Sequence, residues 1–167
     1  ARPLRRTPVY DRLKARGAVF GASFGLETAL WYAPEGMEAA EVPTYRRSNA
    51  FPVVREECLA VRNHVGIMEI SGFGKYEVSG PGAEAWLDKL LAARIPKPGR
   101  MVLAPMLNER GTVMGDFSLA RLAADRFLMV GSGAAEVFHM RWFERIGIPA
   151  GVHVRPLPGA LTGFMVA

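Results

Sequence analysis

The sequence predicts an α+β domain, an antiparallel or mixed sheet with helices on one face, and three local patterns carry that expectation. The first lies in residues 106–121, where apolar runs flank Asn108-Glu109-Arg110-Gly111, a short polar loop closing on glycine that marks a β-hairpin with positive φ at its last position. The second is residues 83–93, where Ala83, Trp86, Leu87, Leu90 and Leu91 recur at helical spacing and Pro96 and Pro98 end the element. The third is the run Arg126-Phe127-Leu128-Met129-Val130, apolar on both faces and therefore expected in the centre of a sheet.

The remaining elements follow in order. Val9, Leu13 and Gly17 fit one short helix closed by a glycine C-cap. Residues 20–36 are rich in glycine and aromatics without a clean period and read as loop or short strands; residues 35–50 read as linker. From Pro52 to about Val65 a helix is expected, with Val54, Cys58, Val61 and Val65 as a core-facing stripe and Gly66 as its stop. Residues 66–71 and 74–79 alternate as strands. A helix over 134–146 follows Gly131-Ser132-Gly133, which lacks the spacings of a phosphate-binding loop and reads as a turn with an N-cap. Strands over 151–157 and 161–166 complete the chain. From Gly74 onward the order is strand, helix, hairpin, strand, helix, strand, strand, which suggests a ferredoxin-like βαββαβ element with helices on one sheet face and the other face open.

Within the hairpin, Val113, Phe117 and Leu119 alternate with Met114, Asp116, Ser118 and Ala120, so the two sets are expected on opposite faces. Asp116 then stands on the open face beside small side chains, where a flat ligand has room to lie against a carboxylate. An aspartate on a half-solvated strand is ordinarily only a solubilising residue, so pattern alone does not make it catalytic.

Composition narrows the classes. The chain has 167 residues, half of them hydrophobic, enough for one well-packed domain and a short appendage. One cysteine, Cys58, allows no internal disulfide, and the three histidines lack metal-ligand spacing, so no metal site is expected. The net charge of +5 is concentrated in Arg2, Arg5, Arg6, Arg12, Lys14 and Arg16, an arm without nucleic-acid-binding signatures, so a solvated arm is expected and no nucleic-acid partner. No run of about 18 apolar residues occurs, so no membrane partner is expected either. The final apolar run Leu161-Thr162-Gly163-Phe164-Met165-Val166-Ala167, with no polar tail, reads as the end of a piece cut from a larger protein.

Four matches in the right order change the reading: Thr7-Pro8-Val9-Tyr10-Asp11; Arg55-Glu56-Glu57-Cys58-Leu59-Ala60-Val61-Arg62 with Gly66; Val78-Ser79-Gly80-Pro81-Gly82-Ala83-Glu84-Ala85-Trp86-Leu87; and Met106-Leu107-Asn108-Glu109 with Gly111 and Asp116. Together they resemble the folate-binding aminomethyltransferases, the family of the glycine cleavage T-protein. The stretches Gly17-Ala18-Val19-Phe20-Gly21 and Trp31-Tyr32-Ala33-Pro34-Glu35-Gly36 resemble the two-part members, dimethylglycine and sarcosine dehydrogenases. The resemblance implies that residues 1–50 are a junction following an upstream flavin half, and that residues 51–167 are the N-terminal part of a larger folate-binding domain. It implies tetrahydrofolate and a small methylated amine as ligands, FAD only in the upstream half, the rest of the same polypeptide as partner, and a bacterial cytoplasmic or mitochondrial matrix setting. The activity implied is transfer of a one-carbon unit to form 5,10-methylenetetrahydrofolate. Asp116 falls on the aspartate that relatives set beside N5 and N10 of the folate, and Phe73, Leu103, Ser118 and Ser132 are expected to line the pocket. Departures include Gly115-Asp116 in place of paired aspartates, Leu103 for a common tyrosine, Ser71-Gly72-Phe73 for Ser-His-Met, and Leu26-Glu27-Thr28-Ala29 for Trp-Glu-Arg-Pro. The alternatives are a T-protein-like aminomethyltransferase without a flavin half and a non-catalytic basic interaction module.

Overall fold

The computed structural model describes residues 2–167, which form two compact units: residues up to Gly72 together with Gly159–Ala167, and Phe73–Pro158.

In the first unit, helix α1 (Tyr10–Ala15) ends at Gly17, whose φ of +84° supplies the expected left-handed stop. Residues 18–32, read from sequence as loop or short strands, form a regular antiparallel hairpin of β1 (Ala18–Ser23) and β2 (Leu26–Tyr32). Its two-residue turn, Phe24 and Gly25, has positive φ at both positions, the backbone that matches strand twist. The hairpin buries Trp31 and Val19 with Ala33 and Ala50. Part of the basic arm is not free in solvent: Arg2 pairs with the buried Glu27 at 2.6 Å, and the main chain of Arg5 bridges Gly25 and Glu27.

Helix α2 (Phe51–Asn63) forms, but the predicted stripe is not a core face. No residue of α2 is fully buried; Cys58, Val61 and Val65 are exposed, and Val53 and Val54 supply the helix's partly buried contacts with the small core. The reason is polar: Glu57 accepts a hydrogen bond from the Tyr32 backbone N–H at 3.1 Å, and this orients the first turns of the helix toward the hairpin. Strand β3 (Ile67–Glu69) pairs antiparallel with β9 (Phe164–Val166) as a separate two-stranded ribbon.

The second unit holds the main sheet. Strands β4 (Gly74–Ser79), β5 (Met101–Leu107), β6 (Val113–Ala123), β7 (Arg126–Gly131) and β8 (His153–Pro156) lie in the order β5-β6-β7-β4-β8, and every pairing is antiparallel. The chain order is β4, α3 (Ala83–Leu90), β5, β6, β7, α4 (Glu136–Ile146), β8, five strands where the expected βαββαβ element has four. β7 is central, as its two-sided apolarity requires.

The core lies on one face. Tyr76, Val78, Ala104, Met106, Phe117, Leu119, Phe127 and Met129 alternate inward along four strands and meet Trp86, Leu87 and Leu90 of α3 and Phe143 of α4. Trp86 Nε1 donates to the Gly147 carbonyl at 2.9 Å, tying α3 to the end of α4.

Phe117 and Leu119 are fully buried as predicted, but Val113 is 61% exposed and Met114 packs against the core instead. A β-bulge explains the exchange. Pairing runs from Met106↔Gly115 directly to Leu107↔Val113, leaving Met114 as the extra residue, and one extra residue reverses the faces beyond it. The loop is tight: Asn108 Oδ1 accepts from the Arg110 and Thr112 backbone N–H groups at 2.9 and 3.0 Å, and Gly111 has φ +75°.

Candidate functional site: the open sheet face around Asp116

The bulge ends before Asp116, so its face is set by Phe117. With Phe117 buried among the helices, the Asp116 side chain projects from the face opposite them and is exposed. Its cross-strand partner is Pro105. Two residues along, one row crosses four strands: Leu103 opposite Ser118, Ser118 opposite Val130, and Val130 opposite Lys75. Strands about 4.8 Å apart make this row roughly 14 Å wide, the span of a flat bicyclic group with its first substituent.

Phe73 and Ser132 lie one residue beyond the paired positions Gly74 and Gly131, so continued alternation assigns them to the open face in the same row as Asp116. The Asp116 carbonyl would lie 3.0 Å from a Cβ built on Gly131, so the two strands are adjacent there. All five residues singled out from the sequence therefore fall in two neighbouring rows of one face. Leu103 is 70% exposed, and Phe73 and Ser132 are also exposed. Ser132 precedes the 3-10 turn Gly133–Ala135 without a side-chain capping bond, so its hydroxyl is not used as the N-cap expected from the sequence.

Lys75 was not singled out from the sequence, although the alternation of 74–79 puts it on this face. It is 7% exposed and donates from Nζ to the Phe73 carbonyl at 3.0 Å, fixing the approach of the chain into β4. The far end of the face is an ion network in which Glu77 bonds Arg126 at 2.7 and 2.9 Å and Arg155 at 3.1 Å. The face thus carries an anion at Asp116, the apolar side chains of Leu103, Pro105 and Val130 with Ser118 between Leu103 and Val130, and at its far end a carboxylate shared by two arginines.

Behind Asp116, on the core side, the pattern is aromatic. Glycines at 74, 115 and 131 leave space that the rings of Tyr76, Phe117 and His139 fill. A Cβ on Gly115 would lie 2.7 Å from His139 Nε2, and one on Gly131 would lie 2.6 Å from the Phe117 ring. His139 is 1% exposed, and its Nδ1 shares a hydrogen bond of 2.9 Å with the fully buried Tyr76 hydroxyl. Burial pushes the imidazole below the ordinary histidine range, against the opposing pull of the Asp116 charge, and burial also raises the Tyr76 phenol. Both groups are neutral near pH 7.

An exposed carboxylate beside the apolar side chains of Leu103 and Pro105 can meet a planar, nitrogen-rich ligand and stabilise positive charge developing on it. The family model described as the GCVT N-terminal domain matches residues 9–167. Mouse mitochondrial dimethylglycine dehydrogenase is 30% identical over 154 residues, which cover 92% of this chain and 18% of that protein. The 4-methylaminobutanoate oxidase (formaldehyde-forming) of Paenarthrobacter nicotinovorans is 38% identical over 146 residues, covering 87% of this chain and 18% of that enzyme. Among solved structures, glycine cleavage system aminomethyltransferase T from Bartonella henselae superposes with a TM-score of 0.72 at 27% identity, over 93% of this chain and 38% of that one. The chain therefore spans under a fifth of the length of these curated relatives, and it belongs to the GCVT N-terminal domain family, with an aminomethyltransferase-like fold.

Proposed function

We propose that this chain is part of a tetrahydrofolate-dependent one-carbon transfer domain in a dimethylglycine or sarcosine dehydrogenase-like protein, with residues 1–50 joining it to a flavin half and residues 51–167 forming the first part of the folate domain. The observation that supports the reading is the exposed position of Asp116 on the sheet face opposite the helices, beside Pro105 and with Phe73, Leu103, Ser118 and Ser132 on the same face. A pterin is flat, apolar on its faces and edged with N–H donors, so apolar side chains beside a carboxylate and two hydroxyls fit it. Tetrahydrofolate supplies two nucleophilic nitrogens, and an iminium donor supplies the carbon. When the carbon bridges both nitrogens the amine leaves with one of their two protons and the other proton is released. Asp116 stabilises the cationic donor as it reacts and accepts or relays the released proton. No residue of this chain is assigned to FAD.

The test is Asp116→Asn in the full-length protein, with sarcosine and dimethylglycine offered as donors. Methylenetetrahydrofolate formation is expected to fall about a hundredfold, while flavin reduction by the amine stays unchanged. Stability should change by no more than about 0.5 kcal/mol, as for other substitutions outside the core. Loss of neither activity removes Asp116 from the chemistry, and equal loss of both indicates a folding defect and rejects the assigned role.

A further inference from the structure

The Tyr76–His139 pair is a buried, titratable, hydrogen-bonded cluster of the second unit that the transfer chemistry does not use, and it lies directly behind the strand that presents Asp116. Three observations connect it to that strand. His139 Nε2 occupies the space a side chain at position 115 would need, at 2.7 Å from an ideal Cβ, so Gly115 and the imidazole are complementary in shape. The His139 ring also packs on the Phe117 ring, with centroids 4.7 Å apart, and so touches the residue on the other side of Asp116 as well. Its remaining freedom is removed by the 2.9 Å bond to Tyr76 and by the nearby Phe143 ring at 6.4 Å.

Purely apolar packing would fill this volume without a buried phenol and imidazole, each of which must keep its partner to avoid a desolvation penalty. What the polar pair adds is direction: whichever partner donates, the bond sets the plane of the imidazole, and an edge rather than a methyl group is held against the glycine. The pair lies next to the bulge at Met114, where the strand twists and its ladder of hydrogen bonds is locally disrupted.

We propose that His139 is a positioning residue for Asp116: held by Tyr76, its imidazole backs the strand at Gly115 and Phe117 and fixes the angle at which the Asp116 carboxylate leaves the sheet. The proposal rests on the reading of Asp116 as the group that serves one-carbon transfer. It also accounts for the glycine at 115, since any side chain there would displace the imidazole.

Two variants of the full-length protein test it. Tyr76→Phe keeps the ring and removes the hydroxyl; His139→Asn keeps an amide near Tyr76 and vacates the space beside Gly115. Each is made with Asp116 intact and with Asp116→Asn, and two quantities are measured: methylenetetrahydrofolate formation, and deuterium exchange of the backbone amides of residues 114–118. With Asp116 intact, each variant should slow transfer by about ten- to a hundredfold, the effect of a displacement on the order of 1 Å, and should speed exchange in 114–118 about tenfold while exchange in α3 is unchanged. In the Asp116→Asn background the same variants should change transfer less than about twofold, because there is no carboxylate left to misplace. Equal losses in both backgrounds, or unchanged exchange in 114–118, overturn the positioning role while leaving Asp116 itself in place. No loss from Asp116→Asn alone overturns both readings. If His139→Asn does not fold, the Tyr76→Phe arm decides alone.

Discussion

Gly131→Ala gives the sharpest test of how the sheet is packed behind the candidate site. Gly131 is the last residue of β7 and pairs with Gly74. Its backbone lies outside the positive-φ region, so alanine is conformationally acceptable there. In open space the substitution would stabilise the protein by about 0.4–1 kcal/mol through the unfolded chain. Here a Cβ would meet Phe117 Cδ1 and Cε1 at 2.6 and 2.7 Å and the Asp116 carbonyl oxygen at 3.0 Å. Unstrained carbon contacts lie near 3.5–4.0 Å, so roughly 1 Å of displacement is required. Phe117 is fully buried and in contact with Tyr76, His139 and Phe143, so its ring has nowhere to retreat, and the carbonyl belongs to the neighbouring strand. Overpacking of this kind costs about 1–3 kcal/mol; after the unfolded-state gain, a net loss of about 1–2 kcal/mol remains. For a unit of 60–100 residues that lowers Tm by about 4–8 °C per kcal/mol. Thermal melting followed by circular dichroism measures it. An unchanged or raised Tm would show that the ring and strand yield freely and would refute the tight packing assigned to the Asp116 end of the sheet.

Acid sensitivity is expected from His139. Its folded pKa is depressed, chiefly by burial, so below the unfolded value near 6.5 the unfolded chain takes up a proton that the folded one refuses, and stability falls as pH drops through that window with a slope approaching about 1.4 kcal/mol per unit. Denaturant midpoints measured from pH 7 to pH 5 should show this slope in the wild type and a smaller one in His139→Asn; identical slopes would remove His139 as its source. Arg121→Lys should destabilise by about 1–2 kcal/mol, because the guanidinium serves the Ala123, Ala124 and Pro96 carbonyls and Glu84 while lying over the Phe127 ring, a fork that one ammonium cannot reproduce. Urea midpoints equal to those of the wild type would show that these bonds contribute nothing net.

Most strands and helices of the second unit are legible in the sequence. Period-2 alternation in 74–79 and 116–121, helical spacing in 83–93 and the Asn108–Gly111 loop are local signals. They survive in the fold because one buried face leaves each strand a single acceptable register. The open-face position of Asp116 was legible for the same reason, since Phe117 and Leu119 can be buried only if Asp116 and Ser118 are not. Where a neighbour decided, the sequence was silent or misleading. Val54, Cys58, Val61 and Val65 have ideal helical spacing, yet the face that α2 turns inward was decided by what the β1–β2 hairpin offers, a free Tyr32 N–H for Glu57. The bulge at Met114 exchanged Val113 and Met114 because pairing with β5, not the composition of β6, fixes which residue is skipped. His139 read as an ordinary histidine, because its partners Tyr76, Gly115 and Phe117 are brought to it only when α4 packs across β4 and β6, a contact that no periodicity within 134–146 encodes.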